Sequence, residues 1–545
     1  MKSRFALASA PLLAMLFASS SAAAQPVRTR ADTAWREGAV CYEIFVRSFF
    51  DSDGDGIGDL AGLTQKLDYV NDGNPRSTRD LGARCIWLMP VAASPSYHGY
   101  DVKNYYRVNP EYGTAADFKR LVAEAHRRGI RVLVDLVLNH ASSEHPYFKE
   151  ALRDPASPHR SWFRFATAPP AERGPWGQQV WHKSPVRDEY YYGIFTAEMP
   201  DLNYATAAVR EEAERVGRFW LTEMGVDGFR LDAVPYLVEE GSALAHTAGT
   251  HAQLRDFGAS VRRSAPGAFT IGEVWDSTGM VLRYYPDQLD AYFAFELSDA
   301  LLDAVRTSSA QRLLAVYARM QRAMPAVRWS PFQRNHDQTR TVTALGGDLR
   351  AARLSAELLL TLPGLPFVYY GEELGMTGDK PDPRLRTPMH WTSGRAAGFT
   401  TGAAWEPLQP DSATANVAVQ HADGGSLLNH YRRLIHLRAS HRALGAGDFV
   451  PLDASDPAVA AFLRRDGARV VLVVANLATT PRPGVTVSSA DRALAPARYT
   501  TRDLLSGQLA AALDVAADGR VRAFAPRATL DARRTYVIEL TRAGR

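Results

Sequence analysis

Carboxylates cluster at a few places along this chain, each time just after a short apolar run. Residues 131–137 (RVLVDLV) lead through Asp135 to Asn139 and His140. Residues 226–232 (VDGFRLD) end on Arg230 and Asp232, and 269–275 (FTIGEVW) carries Glu273. Farther on, 332–340 (FQRNHDQTR) offers His336 and Asp337. One such carboxylate is more often a helix N-cap than a catalyst. Several on one rim fit chemistry better, and paired carboxylates point to glycoside cleavage. In that chemistry one carboxylate, kept ionised by a neighbouring cation, attacks the anomeric carbon. A second, with a raised pKa, protonates the leaving oxygen. Arg230 precedes Asp232 by two residues, so in an extended strand both side chains share one face. Asp232 therefore suits the nucleophile and Glu273 the acid/base.

A second carboxylate cluster is local. Residues 51–63, DSDGDGIGDLAGL, place Asp51, Asp53, Asp55 and Asp59 among glycines, as oxygen-ligand loops for hard cations do. A helix–loop–helix calcium hand is excluded, because Gly62 stands where its bidentate Glu is required. A metal loop and a polar turn both remain open on the residues alone.

Side chains so placed need a scaffold of strands. The runs 40–46, 84–90, 131–137, 226–232, 269–275 and 366–372 are continuously apolar rather than alternating, as expected of parallel strands covered on both faces. Helical patterns separate them. In one, Thr114 is the expected N-cap, Phe118, Leu121, Val122 and Ala125 form the apolar stripe, and Gly129 closes the helix. Strand–helix units over some 400 residues predict a (β/α)8 barrel, the TIM-barrel class of α/β fold. The period is lost between 141 and 203, where Pro, Trp, Tyr and charged residues dominate; a loop that long should be functional or a small subdomain. After 446 the pattern becomes alternating strands, with a hairpin turn at Asp466-Gly467, which predicts a C-terminal all-β domain.

The totals exclude several classes. At 545 residues the chain fits a large barrel with appendages, and 46% apolar with 22% charged residues is globular composition. Net charge is only +4, without a basic cluster interleaved with aromatics, so nucleic acid is not an expected partner. Lys2 and Arg4 precede an apolar run from Phe5 to Ala18, and small residues continue to Ala24. That is a secretory signal, 1–24, cut after Ala24, with no membrane span expected afterwards and a secreted or periplasmic product. Two cysteines, Cys41 and Cys85, lie in strand-like runs; buried free thiols are the expectation, although their spacing leaves a bridge open.

Residues 135–140 (DLVLNH), 225–234 (GVDGFRLDAV), 271–275 (IGEVW) and 335–337 (NHD) resemble the four ordered motifs of the α-amylase family of glycoside hydrolases, family 13. The resemblance covers nearly the whole chain after the signal. It implies domain A at 33–140 and 204–445, domain B at 141–203 and a terminal β-sandwich, domain C, at 446–545. It also implies roles: Asp232 as nucleophile, Glu273 as acid/base, and Asp337 holding sugar hydroxyls in the transition state. Arg230 is implied to keep Asp232 ionised, His140 and His336 to bind the same sugar at the substrate site, and Tyr100, in YHGYD, to be the ring under that sugar. Asp382 and Arg386 have the spacing of a pair gripping that sugar from its non-reducing side. Relatives carry calcium in the aspartate loop, which implies Asp51, Asp53, Asp55, Asp59 and the Ile57 carbonyl as ligands of a structural Ca2+. A second family site between domains A and B would use Asn139 and Asp201.

Residues 199–204 (MPDLNY) are similar to the group intermediate between oligo-1,6-glucosidases and neopullulanases. The implied activity is a secreted, monomeric, retaining α-glucan hydrolase, α-amylase-like, cutting α-1,4 bonds in starch or maltooligosaccharides, with transglycosylation. Pro235 and Tyr236 depart from the Lys-His of many α-amylases and resemble trehalose synthases instead. An exo-acting α-glucosidase or a glucosyl-transferring isomerase on small sugars is therefore the alternative. A non-catalytic ectodomain, as in transporter heavy chains, fits least, because the carboxylate set is complete.

Overall fold

The computed structural model describes residues 34–543. The signal reading of residues 1–24 lies outside the described residues. Eight parallel strands form the central sheet: β1 (Cys41–Ile44), β2 (Cys85–Leu88), β3 (Arg131–Leu136), β4 (Gly228–Leu231), β5 (Phe269–Gly272), β6 (Ala291–Phe293), β7 (Trp329–Ser330) and β8 (Phe367–Tyr369). They neighbour one another in chain order, with β8 hydrogen-bonded to β1. A parallel bridge between Phe332 and Phe367 joins the remaining edges, so the sheet closes as the expected TIM barrel. Six of these strands coincide with the apolar runs of the sequence. β6 and β7, only three and two residues long, had no sequence signal of their own.

Both faces of the strands are buried, which is why their sequences do not alternate in polarity. The faces nevertheless differ. Tyr42, Ile44, Ile86, Leu88, Val132 and Val134 point outward into the main core, against the helices. Cys41, Cys85, Trp87, Leu133, Phe269, Ile271 and Phe293 form a separate cluster inside the barrel. The helix predicted after Thr114 runs Ala115–Arg127; Thr114 and Asp117 form a capping box at its start, each side chain accepting from the other's backbone N–H.

The two cysteines are not free thiols. Cys41 and Cys85 are register partners on β1 and β2 and form a disulfide. Forty-four residues separate them in sequence, yet parallel pairing sets them side by side, both pointing into the barrel. Spacing carries no trace of that register, which explains why the free-thiol expectation failed.

Between β3 and β4 the chain leaves the barrel. A helix, Pro146–Arg153, and a three-stranded sheet of Phe165–Ala166, Tyr190–Tyr192 and Trp181–Lys183 occupy that excursion. From Asp448 onward a seven-stranded antiparallel sheet forms, with the predicted hairpin pairing Asp466 with Arg469. Its own core is built around residues such as Leu463, Leu472, Val474 and Ile538. It is tied to the barrel by Arg464, which donates to the Thr361 carbonyl at 2.6 Å, and by Thr535 N–H, donating to Glu357 at 2.9 Å. Among the described residues no helix is long and apolar enough to cross a membrane.

Candidate active site

The inward-facing positions of the strands change character on ascending the barrel. The lower level is apolar: Cys41, Cys85, Leu133 and Phe269. Two residues further along β1, β2 and β3 stand Glu43, Trp87 and Asp135; Arg230 faces them from β4, and Asp232 and Glu273 stand just past the ends of β4 and β5. Strand parity alone thus brings distant polar residues to one level at the carboxyl rim.

Arg230 organises this level. Its guanidinium is 1% exposed and lies over the Trp87 ring. Nη1 donates to Asp135 Oδ1 and Oδ2 at 2.9 and 3.0 Å and to Asp232 Oδ1 at 2.6 Å. Nη2 is 2.9 Å from Glu273 Oε2. One cation therefore bridges three carboxylates. Arg230 thus stands where the resemblance implies a partner for Asp232, and the guanidinium itself does not line the cleft.

Glu273 Oε2 also accepts the Ala233 N–H at 3.0 Å. Ala233 reaches it from a left-handed conformation, φ 47°, uncommon for a residue with a Cβ. Burial pushes the Glu273 carboxyl up to about 7; Asp232 and Asp337 add to the rise, and Arg230 opposes it. Burial likewise raises Asp135 to about 7 against the pull of Arg230.

Asp337 behaves in the opposite way. Burial would raise it, but the His336 imidazole, Arg386 and Arg230 carry its carboxyl far below the usual range. Arg386 Nη2 grips Asp337 Oδ1 at 2.8 Å and lies 3.5 Å from Asp382 Oδ2, while Lys380 pairs with Asp382 from the other side. Asp382 and Arg386, the pair implied by the resemblance, are thus joined to Asp337, Asp382 through Arg386. His336 is fully buried behind the cleft instead of lining it. The Tyr100 ring lies nearly parallel to it, at 5.6 Å and 13°, and the Tyr100 hydroxyl donates to Asp135 Oδ2 at 2.9 Å. His140 is held by the Tyr100 carbonyl, and burial lowers its pKa, favouring the neutral ring.

These side chains open on a cleft of about 710 Å3, lined by Tyr100, His140, Asp232, Glu273, Asp337, Asp382 and Arg386. That volume lies in the range of small-molecule sites. The excursion supplies Trp176 and Phe195, which pack against Tyr236, the residue that follows Pro235 after β4. Trp275, 53% exposed, stacks on Phe295 at 4.9 Å beside Glu273. Sequence reasoning had not selected Trp176, Phe195 or Trp275; an aromatic residue in a loop has no local mark of facing a cleft. Glu43 was missed too, although its parity with Cys41 in CYEI marks it as inward-facing.

Away from the cleft, Asp51, Asp53 and Asp59 each present an oxygen within 4.8 Å of the others. Asp55 is not part of this trio. Asp55 Oδ1 instead accepts the Ile57 N–H at 2.8 Å, and its carboxyl is exposed. The loop is pinned from outside: Thr400 donates to Asp51, and a Cβ at Gly56, φ 95°, would meet the Ala403 carbonyl at 1.9 Å. Three converging carboxylates fit a hard, oxygen-loving cation. Asn139 and Asp201 are hydrogen-bonded to each other at 3.0 Å, with the Arg164–Glu239 ion pair nearby.

Comparison with known proteins agrees with this architecture. Residues 43–447 match the alpha amylase catalytic domain family. Alpha-amylase 3 of Dictyoglomus thermophilum is 36% identical over 450 residues, covering 81% of this chain and 85% of that protein. The trehalose synthase/amylase TreS of Mycolicibacterium smegmatis is 35% identical over 520 residues, covering 83% and 86%. The crystal structure of an alpha-amylase from H. orenii superposes with a TM-score of 0.80 at 37% identity, covering 92% of this chain and 99% of that one.

Proposed function

The chain belongs to the alpha-amylase family of glycoside hydrolases, and from that membership we propose an exported, retaining α-glucan hydrolase that cleaves α-1,4 bonds in starch or maltooligosaccharides. The observation that carries this is one guanidinium holding Asp232 and Glu273 together at the floor of an open cleft. Retaining chemistry needs its two carboxyl groups close, at about 5–5.5 Å, with no water between them.

In the first step Asp232 attacks the anomeric carbon while Glu273 gives its proton to the glycosidic oxygen, and the C–O bond to the leaving sugar breaks. Glu273 Oε2 already accepts two N–H groups, which leaves Oε1 to carry that proton. In the second step Glu273, now a carboxylate, takes a proton from water, whose oxygen displaces Asp232 from the glucosyl ester. Two inversions return the original anomer. Asp337, fixed by Arg386, accepts sugar hydroxyls; the Tyr100 ring supports the sugar face; His140 borders the same sugar. Asp382 holds Arg386 on the non-reducing side.

Export is supported by the charged and apolar N-terminal stretch and by the Cys41–Cys85 disulfide, since such bonds persist in oxidising compartments. For the aspartate loop we propose structural calcium held by Asp51, Asp53 and Asp59, with Asp55 and the Ile57 carbonyl joining once the cation recruits them. The ion would brace the loop after β1, remote from the reacting sugar.

A second reading, glucosyl transfer among small sugars, is favoured by Pro235 and Tyr236 on the cleft wall and by the Trp176–Phe195–Tyr236 aromatic group. A product time course on a maltooligosaccharide ladder separates the two. Failure to release reducing sugar from soluble starch or maltoheptaose would sink the first reading. Glucose or trehalose as the major product from maltose would favour the second.

A further inference from the structure

Glu43 lies on β1, one inward step above Cys41, and is 1% exposed. Past the neighbouring β8, its Oε1 stands 2.5 Å from His336 Nδ1, joining residues 293 apart in sequence. On the other side of the same ring, Nε2 is 3.1 Å from Asp337 Oδ2 and 2.7 Å from the Tyr100 hydroxyl. Asp337 is an acceptor there, because Arg386 fixes its other oxygen and its carboxyl is held strongly ionised. The Tyr100 proton is already directed to Asp135. Both ring nitrogens thus face oxygen acceptors, and a neutral imidazole has a single N–H to offer the two sides.

We propose that Glu43 is a positioning residue of this site, fixing His336 as an imidazolium whose second N–H holds Asp337 and Tyr100 in place for the sugar. The catalytic consequence rests on the glycosidase reading above; the protonation state does not. Glu43, His336, Asp337 and Arg386 then form a row of alternating charge from the barrel interior to the cleft wall. Alternation is what allows Glu43, His336 and Arg386 to be buried behind the partly exposed Asp337, since each unpaired buried ion would cost several kcal/mol.

The surroundings agree. Burial would lower the His336 pKa, yet Asp337 and Glu43 push it up to about 9. Asp135 on β3 adds a negative neighbour of the Tyr100–His336 pair. Tyr369 and Glu372, at and beyond the end of β8, face Glu43. Arg386 touches His336 through the backbone, its Nε donating to the carbonyl at 3.0 Å, and Arg230 lies over the Trp87 and Tyr100 rings that pack on His336. Trp87 packs edge-on against the imidazole at 5.6 Å and excludes water from it.

Neutron diffraction from the deuterated wild-type protein at pH 8 should show deuterons on both Nδ1 and Nε2 of His336; a single deuteron overturns the proposal. Glu43→Gln keeps the size and removes the charge. In that variant the His336 ring, followed by 15N resonance, should titrate below about 7 instead of near 9. Its deficit in kcat/KM on maltoheptaose should widen between about pH 6.5 and 8.5, by up to tenfold per pH unit, with Glu43→Asp restoring part of it. A deficit equal at every pH, or an unchanged titration, would mean that Glu43 only fills space. Should Glu43→Gln fail to fold, the neutron result decides alone. Should the protein not act on glucans, the diffraction and resonance measurements still test the assignment.

Discussion

Glu273 is the residue whose perturbation tells most. Its carboxyl is raised from 4.5 to about 7, chiefly by burial. A shift of that size is worth about 3 kcal/mol between protonated and ionised forms. Two effects follow, and both signs can be worked out. As general acid, Glu273 acts only when protonated. The kcat/KM for maltoheptaose should therefore fall above pH 7, by about tenfold per pH unit. For stability, the folded chain binds this proton more tightly than the unfolded chain, so stability falls as pH rises from 4.5 to 7. Below 4.5 both states are protonated and there is no penalty; above 7 the full penalty of about 3 kcal/mol applies. Glu273→Gln removes it. The variant should lose most activity on maltoheptaose, yet melt up to about 3 °C higher than wild type at pH 8, at roughly 1 °C per kcal/mol for a chain of this length. At pH 4 that gain should vanish. Aryl maltosides with good leaving groups, which need no acid, should be spared in their first step, and azide should speed turnover. Calorimetry across pH and stopped-flow release of the aryl group supply the data. An alkaline limb near 4.5, or a variant no more stable at pH 8 than at pH 4, would refute the reasoning.

Other outcomes follow from the same geometry. Asp232→Asn should lower kcat on the order of a thousandfold or more with an unchanged circular dichroism spectrum; near-normal turnover would remove Asp232 as nucleophile. Replacing Cys41 and Cys85 together by alanine opens a loop spanning 44 residues, and the chain-entropy relation puts the loss at about 4 kcal/mol. A calorimetric melting point unmoved by that double change would show that barrel pairing already confines the loop. Chelation should lower the melting temperature and added Ca2+ restore it, since a ligand at a hundred times its Kd contributes about 2.7 kcal/mol; indifference to chelator would return the aspartate loop to a polar turn.

Much of this was legible in one dimension because the relevant constraints are local. Six barrel strands announced themselves as continuous apolar runs, and the helix after Thr114 carried its cap and its stripe in sequence. Parity placed Arg230 beside Asp232, and the contact is there at 2.6 Å. The carboxylates at strand ends needed only the rule that barrel chemistry gathers at one rim.

What lies across strands was settled by tertiary structure. The register that joins Cys41 to Cys85 depends on how two distant segments align, and a parallel pair has no turn between its strands to fix that alignment. The β6 and β7 strands are too short to show a pattern and exist because neighbours pair with them. Arg230 was legible as a partner of Asp232, but only closure of the barrel adds Asp135 and Glu273 around it, and buried charge takes the nearest partners. The link from Glu43 to His336 is longer still. The sequence by itself determined which chemical groups the barrel carries and on which strand ends they stand. Closing the sheet decided which of them touch, because a pairing between residues hundreds of positions apart leaves no periodicity for a sequence to show.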